Sequence, residues 1–87
     1  MCKKIEIMNW MTAKLGLSGN ELVLFAILWR ESNQGKQKVA GDYSALSGAM
    51  NTTIPTMYNC IKKLVERGYV IQPEKGLYEI NPNLNLT

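Results

Sequence analysis

Between positions 52 and 67 of this 87-residue chain stand Thr52, Thr53, Thr56, Tyr58, Asn59, Lys62, Lys63 and Arg67, and Lys75 follows shortly after. Hydroxyl, carboxamide, ammonium and guanidinium groups in this mixture hold a ligand; they do not break bonds. The cations attract anionic oxygen, and the carboxamide donates and accepts side by side. The chain has no histidine, which removes the commonest general base and the commonest metal ligand together. Cys2 and Cys60 lie too far apart in the sequence for a C-x-x-C motif or a zinc site, so Cys60 reads as a small buried residue and Cys2 as incidental. No phosphate-cradling glycine loop, carboxylate pair, metal cluster or G-x-S-x-G motif is present. An enzyme is not expected, and no cofactor or metal is implied.

The scaffold must be small. At 9.8 kDa, with 46% apolar and 20% charged residues, the composition is that of one globular domain spanning 1–87. We divide it into an N-terminal segment 1–16, a core with a hairpin over 17–80, and a tail over 81–87. The net charge of +3 is mild, but Lys62, Lys63 and Arg67 fall within six residues, which concentrates it. The longest apolar run, Leu22 to Trp29, has eight residues, against about 20 for a membrane span. With no signal-peptide pattern at the start, a soluble cytoplasmic chain without membrane contact is expected.

Ile5 and Ile7 alternate as in a strand, whereas Trp10, Met11 and Leu15 follow helical spacing, which predicts a short helix from Met8 to Leu15 ending at Gly16. Ser18 and Glu21 have capping-box spacing, so a second helix starts at Ser18. Its residues 22–29 are apolar around the whole circumference. Such a helix is either central to the fold or part of a dimer seam, so a homodimer through the N-terminal segment or helix 18–31 stays open. Lys36 to Ala40 can form a short strand. Asp42 caps a helix through Ala49, in which Gly48 and Ala49 let a neighbouring helix approach. Thr53, or alternatively Thr52, caps the next helix, with Pro55 in its first turn. There Met57, Cys60, Ile61 and Leu64 form a core stripe, Tyr58, Asn59, Lys62, Lys63 and Glu66 point away, and Arg67-Gly68 closes the helix. Segments 69–72 and 77–80 form a β-hairpin around a Pro73-Glu74-Lys75-Gly76 turn. Leu84 and Leu86 could dock the tail.

This order predicts a mainly α, α+β winged helix-turn-helix: a three-helix core, an extra N-terminal helix and a C-terminal hairpin wing. Helix 53–67 would then enter a DNA major groove. Thr52, Thr53, Thr56, Tyr58 and Asn59 would face base edges, with Asn59 able to bond adenine bidentately and Thr or Ile methyl groups able to touch thymine. Lys62, Lys63, Arg67 and Lys75 would meet phosphates.

Trp10-Met11, the segment Leu15-Gly16-Leu17-Ser18-Gly19-Asn20-Glu21-Leu22, Ala26-Ile27-Leu28, Leu46, Asn51-Thr52-Thr53 and Lys63-Leu64-Val65-Glu66-Arg67-Gly68-Tyr69-Val70 together resemble the N-terminal winged-helix domain of phage replisome-organiser and replication-initiation proteins. The resemblance covers most of residues 8 to 72. It implies recognition of double-stranded DNA at an origin or operator of a phage or mobile element, in replication initiation or transcription regulation, usually within a longer protein. Ile54 and Pro55 stand where such proteins commonly carry Ser, Lys or Arg.

Each feature also has a plainer reading. Lys62 and Lys63 can be a solvated helix face, Tyr58 and Asn59 ordinary surface residues, and Trp10 and Trp29 core aromatics. The five methionines are first of all gap-fillers, and Ser18 is a cap. Exposed Ile54 and Pro55, with the mild net charge, also fit a protein-interaction or dimerisation domain that keeps the fold without binding DNA.

Overall fold

The computed structural model describes residues 7–82. Its elements are α1 (Asn9–Ala13), α2 (Gly19–Glu31), β1 (Val39–Ala40), α3 (Tyr43–Met50), α4 (Ile54–Glu66), β2 (Val70–Glu74) and β3 (Leu77–Ile80). The described residues thus form an α+β fold of four helices and one antiparallel sheet with strand order β1-β3-β2. The expectations at Cys2, Ile5, Leu84 and Leu86 fall outside these residues.

The apolar run lies in the middle of α2, where Leu24, Phe25, Ala26, Ile27 and Leu28 are each at most 3% exposed. Helices α1, α3 and α4 and strand β3 all pack on it. A helix apolar on every side is covered on every side. Among the described residues the large apolar side chains that remain exposed are Ile7, Ile54, Tyr58, Val65 and Ile71, none of them on α2. The middle of the apolar run is thus covered within the chain, while Leu22, Val23 and Trp29 at its ends are half-buried.

Ser18 does occupy the position before the helix, but its hydroxyl makes no capping bond. The next residue, Gly19, has a φ of +59°, a left-handed backbone that glycine takes freely. Glu21 correspondingly does not close a capping box; its carboxylate lies toward Arg67, with Oε1 3.9 Å from Nε. Regular α1 is shorter than the expected 8–15: Lys14 is still in the right-handed helical region, but the Leu15 N–H bonds back to Trp10 O, five residues earlier, and the chain turns at Gly16. Trp10 nevertheless anchors it, edge-on to Phe25 at 5.8 Å and to Trp29 at 4.8 Å between ring centroids.

Asp42 caps α3 through a 2.7 Å bond from the Ala45 N–H. The expected close approach at Gly48 and Ala49 does not occur: both are exposed, and a Cβ on Gly48 would meet nothing within 4 Å. The buried side of α3 is Leu46, Ser47 and Met50 instead, so the contact face is rotated away from the small residues. Asn51 then takes the left-handed conformation at φ 57°, ψ 47°, which asparagine tolerates better than most residues. Thr53, rather than Thr52, caps α4.

The hairpin differs from expectation at its turn. Strand β2 continues through Pro73 and Glu74, leaving only Lys75 and Gly76 to reverse the chain. Val70 pairs with Ile80 and Ile71 with Glu79, but Glu74 pairs with Leu77, so β2 carries one extra residue between Ile71 and Glu74. Proline has no N–H to offer a ladder and is accommodated at such a bulge on an edge strand. Strand β1 joins the hairpin by pairing Val39 with Tyr78 and Ala40 with Leu77. The Gly41 N–H donates to Gly76 O at 2.9 Å, which ties the hairpin tip to the start of α3. At the other end Tyr69 Oη donates to Leu15 O at 2.9 Å, and Asn81 Nδ2 to Gly68 O at 2.6 Å.

Two stability measurements check this packing. Gly48→Ala should stabilise the protein by about 0.5–1 kcal/mol in urea unfolding, because the added methyl group meets no neighbour and alanine favours helix; a loss of stability would mean that α3 packs differently. Tyr78 is 1% exposed and its hydroxyl has no hydrogen-bond partner. Burial, with smaller contributions from Tyr43 and Asp42, pushes its pKa up to about 12. The folded state therefore holds this proton more tightly than the unfolded chain, whose phenol ionises near 10. The stabilisation is complete below pH ~10 and disappears as pH rises through about 12. Tyr78→Phe should remove that part of the alkaline loss and leave neutral-pH stability equal or higher, since no bond is broken. A drop of more than about 1 kcal/mol at neutral pH would show that the hydroxyl has a partner.

Candidate nucleic-acid interface

Helix α4 is strongly two-faced. Met57, Cys60, Ile61 and Leu64 are buried, as their spacing predicts, while Tyr58, Asn59, Lys62, Lys63 and Glu66 are exposed. At 3.6 residues per turn, Pro55, Asn59, Lys62 and Glu66 form the outermost line. On one flank Thr56 and Lys63 share a shallow depression with Asn20, Glu21 and the edge of Cys60. On the other, Tyr58, Lys62, Val65 and Glu66 share one with Tyr43 and Gln72. The inner side rests on α2, α3 and β2. The helix is thus held along its length with its outer half free.

The candidate side chains are not equally available. Thr53 Oγ1 donates to Thr56 Oγ1 at 2.9 Å and accepts from the Thr56 N–H at 3.4 Å. These two hydroxyls serve the cap. Thr56 is also half-buried, as is Thr52. Tyr58 is 45% exposed and stacks edge-on against Tyr43, with ring centroids 5.4 Å apart. Asn59 is exposed on the outermost line. Lys62, Lys63 and Lys75 are exposed, and among the described residues none of them has a carboxylate within salt-bridge distance.

Arg67 differs. Among the described residues its guanidinium comes within salt-bridge distance of Glu21, whose Oε1 is shielded from solvent and has no hydrogen-bond partner. At 3.9 Å the pair is loose, but it holds a negative charge against the α2-facing flank. The same carboxylate acts on Cys60: burial first and Glu21 second push the thiol pKa up, with Lys63 opposing. Cys60 is thus kept as a neutral thiol in the core, not as a reactive one.

Sequence reasoning did not find the Glu21–Arg67 approach, the Tyr43 support of Tyr58 or the position of Gln72 beside the helix. Each joins distant parts of the chain. Among the described residues no group of three or more metal-ligating side chains could hold an ion, and no helix is long and apolar enough to cross a membrane. The chain matches no protein-family model, no curated protein and no solved structure with which it was compared. The chemistry of the interface therefore rests on its own side chains.

Glu21→Gln should raise the salt concentration at which the protein leaves a heparin resin more than Glu31→Gln does. Both changes remove one negative charge, but Glu31 lies ten residues away at the other end of α2. Equal shifts would show that the resin senses net charge and not this flank.

Proposed function

We propose that the chain is a DNA-binding module of winged-helix type that inserts α4 into the major groove of double-stranded DNA and sets the β2–β3 hairpin beside the sugar-phosphate backbone. The observation that carries this reading is the bracing of α4 along its inner face while its outer face, with the unpaired Lys62 and Lys63, stays open. A single helix presented in this way fits a groove about 12 Å wide. Helices α3 and α4, joined through Asn51, Thr52 and Thr53, supply the brace and the reader of a helix-turn-helix.

Roles follow from position. Lys62 and Lys63 lie in the later turns and meet phosphates, as does Lys75 on the hairpin tip, giving register and salt-dependent affinity. Arg67 contributes less while Glu21 faces it. Asn59 reads bases, whereas Thr53 and Thr56 organise the helix start. One module of this kind covers about 600–1,000 Å² of DNA, so tight and selective binding calls for two copies on a two-fold site. The sequence resemblance to phage replication proteins supports a role in replication initiation or transcription regulation of a phage or mobile element.

A second reading has its own observation. Ile54, Tyr58 and Val65 are 46%, 45% and 38% exposed along one flank of α4, which also suits a protein partner or a second copy of the chain.

Fluorescence titration with duplex DNA over a range of salt concentrations separates the two. The double substitution Lys62→Ala, Lys63→Ala should weaken binding to all sequences alike and lower the slope of log affinity against log salt by about 2. Failure to bind any duplex at low salt, with concentration-dependent dimerisation in sedimentation, would favour the protein-interaction reading.

A further inference from the structure

Resting on the DNA-binding reading, we infer that this module selects A·T over G·C pairs in the major groove, chiefly by touching thymine C5-methyl groups. Helices of this kind contact base edges with the side chains of their first turns. Residues 52–61 contain neither arginine nor lysine, so the commonest bidentate partner of guanine O6 and N7 is missing. The cations come later, at Lys62 and Lys63, where they complement phosphate charge. What the first two turns expose instead is Ile54, Pro55, Tyr58 and Asn59.

The hydrogen bonds in the cap sharpen this selection. Thr53 uses both its donor and an acceptor lone pair on Thr56, and half-buried Thr56 faces the α2 side. Asn59 is therefore the exposed carboxamide of these turns, and its paired donor and acceptor match adenine N6 and N7. Ile54, at 46% exposure, and Pro55 place aliphatic carbon at the leading end of the helix. In the major groove thymine alone offers a methyl group for such carbon to cover. Against a G·C pair the same side chains would cover guanine O6 and N7 and the cytosine amino group, leaving them without partners.

The full chain is first used to select from a random duplex pool, and the enriched duplex is then prepared with thymine and with uracil, which lacks only the C5-methyl. A·T-rich enrichment is expected, with about threefold to fourfold weaker binding for each contacted methyl removed. Ile54→Ala, at an exposed position, should shrink the thymine–uracil difference while leaving the salt slope unchanged, because Lys62 and Lys63 remain. Asn59→Ala should reduce preference for adenine at one step by about fivefold or more. Guanine-rich enrichment, or equal affinity for thymine and uracil duplexes, overturns the inference while DNA binding stands. No binding to any duplex at low salt overturns the DNA-binding reading and the inference with it.

Discussion

Helix α2 cannot be left exposed on any side, and this constraint organises the rest of the molecule. A fully buried large aliphatic or aromatic side chain contributes about 1.5–3 kcal/mol relative to exposure, and the consecutive buried residues Leu24, Phe25, Ala26, Ile27 and Leu28 span more than one full turn of the helix. One covering layer cannot reach them all. Helix α1, α3, α4 and β3 each take a sector. α4 meets its share of this demand with four residues, Met57, Cys60, Ile61 and Leu64. Its outermost line, Pro55, Asn59, Lys62 and Glu66, is therefore left exposed, and that surface is what a ligand can use.

Period and cap chemistry made much of the helical framework legible in the sequence. Asp42 and Thr53 act where local residue types place them, because a side-chain oxygen needs only the next turn's N–H to do so. The inward and outward residues of α4 likewise follow from a three- and four-residue rhythm interrupted by lysines. Ser18 shows the limit: the spacing to Glu21 is right, yet Gly19 between them is left-handed and the hydroxyl makes no capping bond. Gly48 shows another. Small size permits close approach but does not cause it; the direction of α3 is set by where Leu46 and Met50 find the core.

The nonlocal features were not legible for a related reason. Pairing of Val39 with Tyr78 and approach of Glu21 to Arg67 depend on the whole chain having closed around α2, and neither residue pattern announces its partner. The extra residue in β2 could have been anticipated from Pro73, which cannot serve as a ladder donor, although the bulge's position between Ile71 and Glu74 depends on how β3 runs beside it. For the candidate interface, exposure was readable residue by residue, whereas availability was not. Thr53 and Thr56, expected to face base edges, also bond each other in the cap of α4.

That distinction bears on how a chain of net charge +3 could engage a polyanion. Affinity of this kind depends on how many phosphates are neutralised at one face, not on the molecular sum. Around α4, Lys62 and Lys63 are unpaired, while Glu66 lies on the outermost line and Glu21 faces Arg67. The electrostatic attraction is accordingly small, and a rigid nonpolar leading edge becomes more consequential. A module with many cations binds first and discriminates second, because phosphate contacts are indifferent to sequence. With few cations, shape and methyl contacts supply a larger share of the total, so a wrong sequence forfeits a larger fraction of the binding. Under the DNA-binding proposal, the exposed Ile54 and Pro55 fit a reader whose selectivity depends more on apolar fit than on charge.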